Sequence, residues 1–312
     1  MNRSWIAVLV VASLALGAGS AETLAATAKK KVVLSTKHKS ASSAKGRHHH
    51  KSASLEDARG LTIESASALV QDQSTGAVLF EKNPGSVVPI ASISKLMTAM
   101  VALDAHPNLN DVLTISEEDV DSLKGTHSRL RVGTRLTREE MLNLALMSSE
   151  NRAASALSRN YPGGRDAFIA AMNRKCQALG LTSTQFADPT GLTASNVSSA
   201  HDLSRMVAAA YEYPLIRAFS TATEREVVIA GRPQLFHNTN SLVKSPNWDI
   251  SLSKTGYINE AGKCLVMHTW INSRPTIIVL LDSWGKMTRI GDANRIKRWV
   301  ESAALAQRAS AG

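Results

Sequence analysis

The stretch Pro89–Met100, "PIASISKLMTAM", decides how this sequence is read. The spacing predicts a helix from about Ser92 to Leu103, and its almost wholly apolar character places it in the middle of the protein. Lys95 conflicts with that placement, because an ammonium group is costly to bury unless a neighbour uses or compensates it. On a helix, residues i and i+3 share a face, which brings the Lys95 amine within reach of the Ser92 hydroxyl. Desolvation disfavours the ammonium form, and a neutral lysine can accept the serine proton. Taken alone, Ser92 reads equally well as a helix N-cap.

Two further segments turn the pair into a constellation. Ser149-Glu150-Asn151 falls in a polar interruption between two helices and offers a hydroxyl and a carboxamide, suited to proton transfer and to holding a substrate amide. Lys254-Thr255-Gly256 belongs to a late strand, where a cation and a hydroxyl can receive a carboxylate. There Gly256 removes the side chain at a point where a substrate backbone must lie close.

Around these segments the pattern changes period. "SALVQDQSTGAVLFEKN", Ser67–Asn83, reads as an antiparallel hairpin turning at Ser74-Thr75-Gly76. From about Glu117 to Tyr213 the texture is helical, with one start marked by the capping box Thr137 and Glu140. After Ser220 strands return: "REVVIAG", then the closely spaced "DISLSKTGY", "KCLVMHTWIN" and "TIIVLLDSW". A last amphipathic helix is expected over about Asp292 to Leu305. Strands at both ends with helices between them predict an α/β (α+β) domain over residues 61–307. In it one antiparallel sheet, assembled from distant parts of the chain, is flanked by helices and carries an inserted helical subdomain at roughly 104–213, before a tail at 308–312.

The 312 residues are 44% apolar and 20% charged, enough for a sizeable core. The net charge of +10 suggests an anionic partner only until its distribution is examined: residues 1–60 carry ten Lys or Arg against three acidic residues, leaving +3 for the rest. Arg3, the apolar run Trp5–Leu16 and the small residues Gly19, Ser20 and Ala21 read as an export signal over residues 1–21. The run is short for a membrane span, which needs about 20 residues. Residues 22–60, rich in Ala, Ser and Lys, read as a linker. Its His48-His49-His50 triplet could hold a metal only loosely. Cys176 and Cys264 can form one disulfide or stay as two buried thiols, the second being the blander reading. No His-Glu-x-x-His cluster occurs, so His201, His237 and His268 read as structural, and no metal or cofactor is called for. Basic residues are not interleaved with aromatics, which argues against nucleic acid.

Ser-x-x-Lys, Ser-x-Asn and Lys-Thr-Gly in that order form the motif set of penicillin-binding proteins and class A β-lactamases. With "IASISKLMTAMVALD", "LALMSSENRAASAL", "DPTGL" at Asp188–Leu192 and "LSKTGYINEAGKCLVM", the sequence resembles the D-alanyl-D-alanine peptidase family of low-molecular-mass penicillin-binding proteins over about Leu61–Leu305. Within that family it looks most like the endopeptidases. The resemblance implies a penicillin-binding-protein fold, peptidoglycan stem peptides as substrate, β-lactams as inhibitors and a periplasmic location. It makes Ser92 the acylated nucleophile, Lys95 its base, and Ser149 and Asn151 their partners. Lys254, Thr255, Gly256 and Tyr257 bind substrate, and the N–H groups of Ser92 and Tyr257 form an oxyanion hole. Glu150 fills a variable position and receives no catalytic role. Asp188 is read as shaping a loop, and Ser94 as a helix residue beside the site.

The leading expectation is hydrolysis of D-alanyl cross-links. A carboxypeptidase acting on uncross-linked peptides is the alternative, and the chain's stopping soon after its last helix, in "RIKRWVESAALAQRASAG", weighs against the extra β-rich domain and membrane tail common among such relatives. A β-lactamase is disfavoured because no convincing Glu-x-x-Leu-Asn segment lies between Asn151 and Lys254. The basic run Lys29–Lys51 motivates a non-enzymatic wall-binding alternative, or at most a loose hold on wall or membrane by an enzyme. The signal is expected to be cut near Ala21; mass spectrometry of the exported protein finding an intact N-terminus would refute it.

Overall fold

A computed structural model describes residues 60–310; the expected export signal and nearly all of the linker lie outside the described residues. The chain opens with β1 (Ser67–Asp72) and β2 (Val78–Lys82), the expected hairpin, followed by the short β3 (Val88–Pro89). A 3₁₀ turn at Ala91–Ser94 then leads into α1 (Lys95–Asp104), so the reactive segment begins as a tight turn and not as the regular helix expected from Ser92. Neither Ser92 nor Ser94 serves as a side-chain cap.

Beyond α1 come β4 (Val112–Thr114) and β5 (Arg135–Thr137), paired with each other. The residues between them form only a 3₁₀ turn at Glu117–Asp119 and irregular chain, which corrects the helical reading from Glu117. Hydrogen bonds from backbone to the Asp121 carboxylate and positive φ at Gly125 and Gly133 favour turns over helix there. The helices α2 (Arg138–Met147), α3 (Asn151–Arg159) and α4 (Gly164–Ala178) follow, α2 opening with the expected Thr137–Glu140 capping box. After β6 (Val197–Ser198) come α5 (Ala200–Tyr211) and α6 (Pro214–Thr221), which carries the helical region past the expected end at 213.

Strand β7 (Glu224–Ile229) pairs with β8 (Arg232–His237) as a separate hairpin, so "REVVIAG" does not join the main sheet. The closing run is β9 (Asp249–Ile258), β10 (Gly262–Ile271), β11 (Arg274–Ser283) and α7 (Thr288–Ser310). The main sheet has five strands in the order β2-β1-β11-β10-β9, with β1 antiparallel to β11 in the register Val70↔Ile278. Residues distant in sequence thus share one antiparallel sheet, as the order of elements predicts.

The late strands are apolar throughout because both faces of the sheet are covered. Leu69, Val266, Ile277 and Val279 face the helical body with α1 and α5. Their alternating neighbours Val70, Leu265, Met267, Ile278 and Leu280 face Ala293, Ile296 and Val300 of α7. Cys176 and Cys264 are buried and unpaired. Burial pushes their thiols up to about 12 and about 11 respectively, which keeps them protonated at neutral pH. His268 is buried, stacked at 3.9 Å on Tyr211. Among the described residues no helix is long and apolar enough to cross a membrane.

The segment leading into β1 is fastened to α7 by Asp292, which is fully buried. Its carboxylate accepts the N–H groups of Glu64 and Ser65 at 3.0 and 2.8 Å and the Ser65 hydroxyl at 2.6 Å. Asp292→Ala leaves the buried Ser65 N–H without a partner, the Ser65 hydroxyl keeping only Ser283 Oγ at 2.7 Å, and is expected to cost about 2 kcal/mol in urea unfolding, while a loss under about 0.5 kcal/mol would contradict this role.

Candidate active site

Lys95 opens α1 with no measurable exposure, walled by the apolar core. Its Nζ donates to Asn151 Oδ1 at 2.7 Å and to the Thr190 carbonyl at 2.6 Å, and lies 2.7 Å from Ser92 Oγ. A neutral amine has two N–H groups and one lone pair; with both N–H groups taken by fixed acceptors, the lone pair is left to face the Ser92 hydroxyl. Burial brings the pKa of Lys95 down to about 7, against the opposing pull of the Asp188 and Glu150 carboxylates. A lysine so tuned is neutral in a large fraction of molecules at physiological pH, as a general base requires.

Ser92 is positioned by strain and close approach. Ala91 before it has φ 49°, a left-handed conformation costly to a residue with a Cβ. Strand β9 presses against this turn: a Cβ on Gly256 would lie 2.8 Å from Ile90 O and 3.2 Å from Ser92 N. From the other side a Cβ on Gly191 would stand 2.0 Å from Ala91 O, and Gly191 has φ 82°, so both demands select glycine.

Ser149 occupies the corner between α2 and α3 with φ 62°. It receives a hydrogen bond from Lys254 Nζ at 2.9 Å. Lys254 lies within the edge strand β9 and is 1% exposed. Burial first, and then the nearby cations Lys95 and Arg289, depress its pKa well below the usual lysine range. Thr255 Oγ1 donates to Thr239 Oγ1 at 2.7 Å. Asn151 begins α3 and turns its Nδ2 to Thr126 Oγ1 at 3.1 Å. Ser92, Ser149, Asn151, Thr255, Gly256 and Tyr257 line one open cleft, with Lys95 and Lys254 buried at its base. The fold therefore assembles every residue singled out from the sequence.

Around them stand supporting residues, of which Asp188 was read from the sequence as shaping a loop and Ser94 as a neighbour of the site, while Thr190, Asn196 and Arg289 were not singled out. Asp188 shapes its loop: Oδ1 accepts the N–H groups of Thr190 and Gly191 at 2.5 and 2.6 Å, and Oδ2 that of Thr193 at 2.9 Å. That turn delivers the Thr190 carbonyl to Lys95, so "DPTGL" holds a hydrogen-bonding partner of the base as well as a turn. Asn196 donates to Asp188 O at 2.8 Å and to Ser94 Oγ at 2.9 Å, tying loop to helix, and Ser94 stands beside the site. Arg289 at the start of α7 donates to Gly256 O and Cys264 O, each at 3.0 Å, and adds a cation to the cleft. An Asp followed by Thr-Gly signals such an Asx turn in sequence; nothing in sequence brings Arg289 to Gly256.

Only the neutral amine accepts a proton, so the rate at which Ser92 reacts with a fluorescent penicillin is expected to rise with pH and reach half its plateau near pH 7. A rate independent of pH between 5.5 and 8.5 would overturn Lys95 as base.

A family model described as D-alanyl-D-alanine carboxypeptidase matches residues 51–285. The chain is 51% identical over 243 residues to a D-alanyl-D-alanine endopeptidase of Pseudomonas aeruginosa and 47% identical to that of Escherichia coli, covering 77% of this chain and 78% of each relative. A D-alanyl-D-alanine carboxypeptidase of Bacillus subtilis is 34% identical over 213 residues, 66% of this chain and 54% of that one. Among solved structures, a Streptomyces DD-transpeptidase superposes with a TM-score of 0.71 at 26% identity, covering 76% of this chain and 97% of that one. With the motifs, the cleft and these likenesses in agreement, the chain belongs to the D-alanyl-D-alanine carboxypeptidase family of serine peptidases, and its fold is that of the penicillin-binding proteins.

Proposed function

We propose that the protein is a serine D-alanyl-D-alanine endopeptidase that hydrolyses peptide cross-links in peptidoglycan through an acyl-enzyme on Ser92. The observation that carries this reading is the fully buried Lys95 amine, 2.7 Å from Ser92 Oγ and tuned to a pKa of about 7. Ser92 Oγ attacks the carbonyl carbon of the cross-linking D-alanine while its proton passes to Lys95 Nζ. The N–H groups of Ser92 and Tyr257 receive the developing oxyanion. Ser149, held by Lys254, relays that proton from Lys95 to the departing nitrogen as the C–N bond breaks, so that one stem peptide leaves as an amine and Lys95 is neutral again. Water then adds to the ester and gives its proton to Lys95. Collapse frees the second peptide as a carboxylic acid while Lys95 returns that proton to Ser92 Oγ, restoring both groups.

Lys254 and Thr255 take the carboxylate beside the scissile bond, Asn151 the substrate amide, and the bare Gly256 lets the peptide lie against the edge of β9. The same site on an uncross-linked peptide would act as a carboxypeptidase. The higher identity to relatives named endopeptidases, 47–51% against 34% for the Bacillus carboxypeptidase, favours the cross-link. A β-lactam carboxylate and ring carbonyl mimic the same groups and acylate Ser92. Arg3 and the apolar run Trp5–Leu16 support export, the likeness to penicillin-binding relatives supports the periplasm as its destination, and the basic run Lys29–Lys51 supports at most a loose hold on wall polymer or membrane.

The test is incubation of the purified protein with a cross-linked muropeptide dimer, with and without benzylpenicillin, followed by mass analysis. Monomers are expected, penicillin abolishes them, and Ser92→Ala loses covalent penicillin labelling with its circular dichroism unaltered. Release of a terminal alanine alone would move the assignment to carboxypeptidase, and labelling that persists in Ser92→Ala would remove Ser92 from its role.

A further inference from the structure

One loop joins the two walls of the cleft. Its near end is fastened to the α3 wall: Ser128 Oγ donates to Glu150 Oε2 at 2.6 Å, and Thr126 Oγ1 receives Asn151 Nδ2. Asp121 shapes the loop by accepting the N–H groups of Leu123 and Lys124 at 2.8 and 3.0 Å and the Thr126 hydroxyl at 2.6 Å. Lys124 then leaves this wall, and its ammonium meets Glu260 Oε1 at 2.5 Å. Glu260 sits in the turn between β9 and β10, just beyond Tyr257 on the opposite wall, 136 positions along the chain from Lys124. The hydrogen bond from Lys124 is the largest influence holding the Glu260 carboxyl below its usual pKa, which keeps that carboxylate ionised at neutral pH.

We infer that Lys124 and Glu260 form a clasp across the Tyr257 end of the cleft that selects substrates by whether they can pass beneath it. This rests on the endopeptidase reading. A penicillin or a free-ended peptide can slide under a closed bridge. A cross-link has no free end, since peptide and glycan continue on both sides, and it must enter sideways after the pair parts. The pair suits that task, because its side chains are 31% and 42% exposed and exposed ion pairs are weak and screened by salt. The loop is shaped by hydrogen bonds, and Leu123 at its crest is 65% exposed, so opening it uncovers little core.

The variants Glu260→Gln and Lys124→Met, and the exchanged pair Lys124→Glu with Glu260→Lys, test the clasp at low and high salt. Dimer hydrolysis and benzylpenicillin acylation are measured on the same preparations. Acylation by a penicillin whose side chain carries a dextran polymer reads passage of a bulky group without any hydrolysis. Each single variant is expected to raise both the dimer-to-benzylpenicillin and the polymer-to-benzylpenicillin ratios about three- to five-fold, the range open to an exposed pair. The exchanged pair should restore them to within about twofold of the original, and salt should raise them in the unaltered protein but not in the single variants. Ratios that do not move, or that move as far in the exchanged pair as in the single variants, overturn the clasp. If the unaltered protein is acylated yet leaves the dimer intact, the endopeptidase reading fails, and the polymer ratio still decides the clasp.

Discussion

An amine in a dry site dominates this structure. Lys95 has surrendered its hydration, and in exchange it has the Thr190 carbonyl, the Asn151 carboxamide and the Ser92 hydroxyl, each supplied by a different part of the chain. Without them the amine would face apolar side chains alone, the costly case for a polar group. The Asx turn at Asp188, the tie from Asn196 to Ser94 and the tight approach of Gly191 to Ala91 can all be read as support for that exchange. Strain is accepted in the same place: Ala91 and Ser149 both hold left-handed backbone on the cleft wall, where regular structure would turn the hydroxyls elsewhere.

Electrostatics reinforce the exchange. Lys254 stands near Lys95, whose charge adds to burial in lowering the Lys254 pKa. Glu150 counters this in part: burial raises its own pKa, while the Ser128 hydrogen bond and the charges of Arg129 and Lys95 favour its ionised form. Its position in the second motif is thus neither catalytic nor idle, because it fastens the loop and adds negative potential beside the base.

Much of this was legible beforehand, for identifiable reasons. A lysine at the head of an apolar helix is a local contradiction, and local contradictions mark sites. The hairpin around Ser74–Gly76 and the capping box at Thr137 rest on near-neighbour chemistry, which sequence carries directly. What escaped depends on irregular or distant geometry. Residues between Glu117 and Thr134 read as helix because carboxylates and leucines recur there, yet their side chains and glycines favour turns over helical hydrogen bonds. Strand β8 was missed because Pro233 spoils its pattern, which an isolated two-stranded hairpin tolerates. Arg289 reaches Gly256 only because α7 packs across the sheet, and no spacing encodes that.

The pairing of β1 with β11 has a consequence for the history of the molecule. Ser65 and Asp292 are 227 positions apart, and the first strands have no seat until the last have been made. Their closure must be bought with the entropy of a very long loop, so the earliest segment of the domain is among the last to find its place. A nascent chain of this kind cannot set its sheet prematurely. The nucleophile, whose turn is pressed into shape by β9, gains its geometry only when the end of the chain arrives.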